Sequence, residues 1–275
     1  IQWQVASSLG GTYSNISGAT SSTVSTGTLS ATRYYRARVV SGACDTLYSR
    51  EITVTVSPAT NAGTVSGAST VCTGTNSTQL DLTGSVGAII WQESSDSTTF
   101  TDIATATASS YTATNLTQST FYRVKVASGV CDTLFSNIIK VTVSPATVVG
   151  TVSNDTTVCA SSSNITLSLS GNTGSIQWQV ASSLGGSYSN ISGATSSTVS
   201  TGSLNATSYY RARVVSGACD TLYSREITVT VTPATNAGTL SGAATVCTGN
   251  NSTQLNLTSS VGAIIWQESS DSTTF

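Results

Sequence analysis

Apolar and polar residues alternate one by one through most of the chain, in short runs broken by glycine, serine and threonine. In Phe121-Tyr122-Arg123-Val124-Lys125-Val126, Tyr122, Val124 and Val126 fall on one face and Arg123 and Lys125 on the other, the period of two that marks a half-buried strand. The matching run puts Tyr35, Ala37 and Val39 inward and Arg36 and Arg38 outward, with Glu51 on the next strand placed to oppose an arginine as a solvated pair. Over residues 59–145 the pattern predicts seven strands. GTVSG with TVC form the first, STQLDLTG the second and AIIWQES the third; TFTDI, SSYTAT, STFYRVKVAS and SNIIKVTVSP complete the set. Short strands with turn signals about every 8 to 12 residues and no helical period predict an all-β chain of antiparallel, immunoglobulin-like sandwiches.

The pattern repeats. Residues 1–100 return as 176–275 with ten substitutions, such as Thr12 for Ser187 and Asp81 for Asn256. A finer period lies inside that unit, since Trp3, Trp91, Trp178 and Trp266 are 88, 87 and 88 residues apart. The chain's three prolines, Pro58, Pro145 and Pro233, each close an alternating strand, where a missing backbone donor ends sheet pairing. The expected domains are therefore residues 1–58 (the C-terminal part of a module), 59–145 and 146–233 (whole modules), and 234–275 (an N-terminal part), with the sequence read as a window on a longer array of about 88-residue units. The four tryptophans and Tyr35, Tyr122 and Tyr210 are the expected core. Such units would line up end to end as an elongated rod or filament, each spanning roughly 30 to 40 Å if strands of 7 to 9 residues rise ~3.3 Å per residue. Two alternating module types keep near-identical sequences from being neighbours, which suppresses strand exchange.

Charge narrows the function. Only 8% of residues are charged and the net charge is −2, so nothing here would hold a phosphate backbone or anionic lipid, and neither nucleic acid nor membrane insertion is expected. The outward strand positions are hydroxylated instead of ionic. Histidine is absent and the twelve carboxylates are scattered, so no catalytic site, metal or cofactor is expected. Glu93, Asp96 and Asp102 surround one loop but read as solvated, without the D-x-D clustering of a calcium site. The threonines of ITVTVS alternate with core valines on a short strand, unlike the flat array that ice binding needs. Tyr13, Tyr34, Tyr48 and Tyr111 offer a rival reading as aromatic platforms for glycans, or as ordinary strand-edge packing.

Six cysteines recur two per module. A unit this small has a modest core, and disulfides are the available staple, which implies an oxidising compartment. Two schemes fit the spacing. Cys72 with Cys131 and Cys159 with Cys219 would close each module on itself, leaving Cys44 and Cys247 paired outside the window. A loop of about 60 residues would then supply near 4 kcal/mol in the chain-entropy model, and this scheme is preferred. The alternative joins Cys44 to Cys72, Cys131 to Cys159 and Cys219 to Cys247 across boundaries.

A leucine stands six residues before the inward tyrosine, with a threonine between them, in Leu29 with Tyr35, Leu116 with Tyr122 and Leu204 with Tyr210. This spacing resembles the corner of fibronectin type III domains, where the tyrosine hydroxyl bonds back to the preceding loop. A strand tryptophan between two cysteines resembles immunoglobulin domains. Taken with TVCTG, the L-D-L strand, IIWQES, FYRVKV and SGVCDTLFSN, the whole chain resembles the immunoglobulin-like repeats of giant Bacteroidota surface adhesins, the SprB-like gliding-motility adhesins exported by the type IX secretion system. The resemblance implies an extracellular stalk attached at the outer membrane, carrying an adhesive end that meets surface glycans. Its partners would be neighbouring modules, identical filaments and the outer-membrane anchoring machinery. It also implies O-glycosylation where Asp-Ser/Thr precedes a small apolar residue or Thr, at Thr46, Ser97, Thr133, Thr156, Thr221 and Ser272.

Overall fold

The computed structural model describes residues 1–161 and 164–274. It is built of β-strands throughout. Residues 1–58 carry β1 (Gln2–Ala6), β2 (Ser14–Asn15), β3 (Arg33–Val39), β4 (Leu47–Tyr48) and β5 (Ile52–Val54). The second repeat carries β6 (Thr64–Ser66), β7 (Ser69–Cys72), β8 (Ser77–Thr83), β9 (Ala88–Ser94), β10 (Thr101–Asp102), β11 (Ser110–Thr114), β12 (Thr120–Ala127), β13 (Leu134–Phe135) and β14 (Ile139–Ser144). The third carries β15 (Thr151–Val152), β16 (Thr156–Cys159), β17 (Thr166–Ser170), β18 (Ser175–Ala181), β19 (Ser189–Asn190), β20 (Thr198–Ser200), β21 (Ser208–Val215), β22 (Leu222–Tyr223) and β23 (Ile227–Thr232). β24 (Thr239–Ser241) and β25 (Asn256–Thr258) follow.

The chain divides into two compact units, residues 1–143 and 144–275. In the first, β6, β8 and β11 form a three-stranded sheet facing a larger sheet ordered β10-β9-β12-β14-β7. Val65, Leu80, Leu82 and Ala113 from the small sheet meet Trp91, Tyr122, Val124, Val126 and Val141 from the large one. Trp91 is wholly buried, and removing about 200 Å² of indole from water contributes roughly 5 kcal/mol before entropy is counted. Its indole N–H is not wasted, since Nε1 donates to Ala108 O at 2.9 Å. The second unit repeats the plan, with β15-β17-β20 opposite β16-β23-β21-β18-β19 and a core around Trp178, Leu167, Leu169, Tyr210, Val214 and Ile227. The predicted immunoglobulin-like sandwich is therefore the observed fold.

The first strand departs from expectation by splitting. β6 pairs with β8 in one sheet, while β7 crosses to lie beside β14 in the other. Gly67 makes the crossing at φ +103°, where a Cβ would stand 2.4 Å from Gln79 O, so neither its backbone nor its packing admits a side chain. In the next repeat β16 pairs parallel with β23, Thr156 opposite Val229 through Cys159 opposite Thr232.

Two expected core residues differ. Trp266 is 56% exposed and Trp3 is half-buried. Trp91 and Trp178 are covered by strands of both sheets, whereas residues 1–58 supply one sheet and, among the described residues, 236–274 supply only β24 and β25. Tyr35, Tyr122 and Tyr210 are buried. The Tyr122 hydroxyl meets the Thr120 side chain and that of Tyr210 meets Ser208, partners two residues back on the same strand instead of the preceding loop.

Candidate functional site

Three features stand out: an arginine clamp on the outer sheet face in the first three repeats, an asparagine or aspartate that ties the split first strand down in the two whole ones, and the cysteines. The clamp begins with a cross-strand pair. Gln92 lies opposite Arg123, and Arg123 Nε donates to Gln92 Oε1 at 2.7 Å. This holds the guanidinium flat between two rings, 4.0 Å from the Phe100 centroid and 4.2 Å from that of Phe135, a cation–π sandwich. Arg36 sits likewise between Tyr13 and Tyr48, and Arg211 between Tyr188 and Tyr223, at the same two distances. Gln4 and Gln179 accept from these arginines at 2.9 Å. Sequence reasoning placed the arginines outside but missed the clamp; the recurring Trp-Gln pair was its signal.

The clamp reassigns several expected residues. Tyr13 and Tyr48 each have a ring face occupied by Arg36. Tyr111 packs in the core, 5.8 Å from both Trp91 and Tyr122, and burial raises its phenol pKa. Tyr34 is half-buried. Glu51 does not take an arginine: it lies beside the Tyr13 hydroxyl, and Glu226 beside that of Tyr188. Burial first and Glu226 second push the Tyr188 phenol up to about 12. The ion pairs among the described residues are instead Lys125–Asp102 and Arg225–Asp155.

Tying of the first strand falls to different residues in the two whole repeats. Asn137 Oδ1 accepts from Val65 N at 2.8 Å and its Nδ2 donates to Val65 O at 3.0 Å, imitating a strand neighbour. In the next repeat Asp155 Oδ1 accepts from Arg225 Nη1 at 2.9 Å and Thr228 N at 3.0 Å. Asn76 adds a second knot. Its Nδ2 donates to the carbonyls of Cys72, Gly74 and Leu116, while Leu116 N donates to its Oδ1. Asn-x-Ser/Thr triplets abound, so composition alone does not single Asn76 out.

The acidic loop is closed on itself. Asp96 Oδ1 accepts from Thr98 N and Thr99 N, both at 2.8 Å, and from the Ser94 hydroxyl, so its carboxyl titrates well below the ordinary carboxylate range, chiefly through Thr99 and Thr98. Asp102 is taken by Lys125 and Gln92, which lower its pKa in that order. The open groove beside the loop, about 370 Å³, is lined by polar groups such as Glu93, Ser95 and Gln118. Of the glycosylation candidates, Thr46, Thr133 and Ser272 are exposed; Ser97 and Thr221 are half-buried, and Thr156 lies on β16 opposite Val229.

The cysteines overturn the preferred pairing. Cys131 and Cys159 carry free thiols, as do Cys44 and Cys247, while Cys72 and Cys219 are disulfide-bonded. Neither Cys72–Cys131 nor Cys159–Cys219 is formed, and none of the three pairs of the alternative scheme is formed either. The reason is placement. Cys159 ends β16 opposite Thr232, at the end of the sandwich where β21 begins, since Ser208 pairs with Val229. Cys219 follows the other end of β21, with Sγ 3.2 Å from Pro145 O. A strand of that length separates the two by on the order of 25 Å, against a Cα limit of about 7 Å for a disulfide.

A family model described as a domain of unknown function (DUF8696) matches four times, at residues 1–58, 61–145, 148–233 and 236–275. The chain belongs to the DUF8696 family. Its modules are similar in structure to titin domains I67–I69 (10% identity, 74% of this chain and 73% of that chain, TM-score 0.43). They are also similar to a marsupial T cell receptor (13%, 66% and 77%, TM-score 0.42) and to titin domains A168–A170 (13%, 74% and 75%, TM-score 0.41). A comparison with curated proteins finds no match. The DUF8696 chain is thus a repetitive protein of tandem immunoglobulin-like modules.

Proposed function

We propose that these modules form a tension-bearing spacer, the stalk of a surface adhesin held outside the cell at the outer membrane, with gliding motility as one setting in which such a stalk works. The observation that carries the reading is the parallel pairing of β16 with β23. The chain enters a module ahead of β16 and leaves after β23, so pulling its two ends apart slides these parallel strands along each other. All their hydrogen bonds are then loaded together instead of one after another. Ala160 N to Thr232 O at 2.8 Å and the Thr232 hydroxyl to Val158 O at 3.2 Å extend the zone.

Other features support the spacer over a glycan-binding array, since the aromatic faces a sugar would use are stacked on arginine or half-buried. With no histidine and scattered carboxylates, the chemistry favours no enzyme. Neighbouring modules are its first partners, then identical filaments and an anchoring apparatus, with glycans met at a distal tip. O-glycans fit best at Thr46, Thr133 and Ser272, which stand exposed; mass spectrometry of host-derived protein showing bare peptides at all three would remove that part.

Force spectroscopy on the chain with its disulfides reduced tests the central claim. Each whole module is expected to yield in one resolved event releasing roughly 300 Å of chain at ~3.5 Å per residue, and Val158→Pro, which deletes a β16 donor, is expected to lower that force at least twofold for its module. Yielding at the same force in both proteins would defeat the reading.

A further inference from the structure

The residue after β13 and the residue after β22 are both serines, and they build the same support. Ser136 Oγ accepts from Val124 N at 2.8 Å and donates to Asn137 O at 2.9 Å. Ser224 Oγ accepts from Ala212 N at 2.9 Å and donates to Arg225 O at 2.8 Å. The supports match, yet one carries an asparagine and the other an arginine. The first strand changes with them. Thr64-Val65-Ser66-Gly67-Ala68 aligns with Thr151-Val152-Ser153-Asn154-Asp155, so an alanine accompanies the asparagine and an aspartate accompanies the arginine. Each pair lies inside one compact unit.

Chemistry makes the two pairs hard to interchange. Asn137 offers an acceptor and a donor side by side and spends both on the main chain of Val65, which asks nothing of Ala68. An arginine there would have no acceptor for Val65 N. Arg225 instead donates from Nη2 to Ser153 O at 2.7 Å and from Nη1 to Asp155 Oδ1 at 2.9 Å. The same carboxylate oxygen accepts from Thr228 N on β23 at 3.0 Å, so Asp155 joins the first strand of its module to the last. An alanine in its place would leave both donors unmatched.

We propose that the residue after this serine is a selector, deciding which first strand its sandwich accepts. Asparagine takes a strand by its main chain, with alanine at the position of Ala68; arginine takes a strand that bears aspartate there. This gives the alternation of two repeat types a residue-level means of rejecting the wrong strand. Arg225 and Asp155 are about half exposed, at 48% and 59%, so the discrimination expected is a factor of several, not of thousands.

Grafting one pair onto the other support, within the full chain, tests the selector. Hydrogen–deuterium exchange with peptide mass spectrometry reads the amides of β16. Asp155→Ala and Arg225→Asn are each expected to speed that exchange about five- to tenfold. The double variant carries the alanine–asparagine pair and is expected to exchange more slowly than either single. Singles that exchange as the unaltered chain does, or a double as fast as either single, overturn the proposal. Amides of β18, which neither residue touches, are expected to keep their protection in every variant; losing it in a single variant would mean that the pair holds the whole sandwich, and overturns the proposal as well. The reciprocal graft, Ala68→Asp with Asn137→Arg read at β7, is expected to show the same order, and a double as fast as either of its singles overturns the rule there. Exchange is read without tension, so this outcome and that of the spacer reading are separable.

Discussion

Residues 1–58 and 176–233 are nearly the same sequence in two settings: the second has the β15-β17-β20 sheet over it, and among the described residues no such sheet covers the first. Their pairing is unchanged. Gln2 opposite Arg38 and Ala6 opposite Tyr34 in the first become Gln177 opposite Arg213 and Ala181 opposite Tyr209 in the second. Burial changes at part of the inner face, since Ile52 is 51% exposed while Ile227 is sealed, and Val39 is 43% exposed while Val214 is sealed, although Tyr35 is as buried as Tyr210. The outer sheet is thus specified by its own hairpins and arginine clamp, and the second sheet supplies the core. Residues 61–100 and 236–274 show the converse. β7 and β9 of the first stretch pair with β14 and β12, which lie in the following residues; in the second, two three-residue strands remain and Trp266 stands exposed. One half of a module is a sheet in its own right; the other borrows its partners.

The sharpest way to break this comparison is to make one substitution in both settings. Trp178→Ala is expected to cost its module about 3 to 5 kcal/mol in urea unfolding followed by circular dichroism, whereas Trp3→Ala, at a half-buried position, is expected to cost under about 1 kcal/mol. Equal losses would mean that the covering sheet is not what seals the tryptophan. A smaller effect is expected at the asparagine knot. Asn76 reaches Leu116 as well as Cys72 and Gly74, while Asn251 bonds only the carbonyls of Cys247 and Gly249 among the described residues. Asn76→Ala should therefore cost about 1 to 3 kcal/mol by the same measurement, and Asn251→Ala within about 0.5 kcal/mol.

The smallest effect is a titration. Tyr188 is raised to about 12 from 10.0, so the folded state favours the neutral phenol. Its contribution to stability is complete below pH 10 and is lost as pH rises from 10 to 12. Ultraviolet difference titration of the chain against Tyr188→Phe is expected to show one phenol with a midpoint near pH 12; a midpoint near 10 would place that ring in open solvent. Asp96 works in the other direction: its depressed pKa stabilises the loop above the ordinary carboxylate range, and that is lost only as the carboxyl protonates in stronger acid.

Alternation made the inward face of Tyr122, Val124 and Val126 legible, because a period of two reports which side of a strand a residue occupies. It does not report which sheet the strand joins. GTVSG and TVC therefore read as one strand, although Gly67 sends them to opposite layers. Tyr111 read as either a glycan platform or strand-edge packing, and its ring packs between Trp91 and Tyr122. The cysteine pairing was hidden for a related reason: spacing along the chain favoured closing each module on itself, while strand direction put its two cysteines at opposite ends. The clamp needed cross-strand register, which places Gln92 against Arg123 and cannot be read from either residue alone.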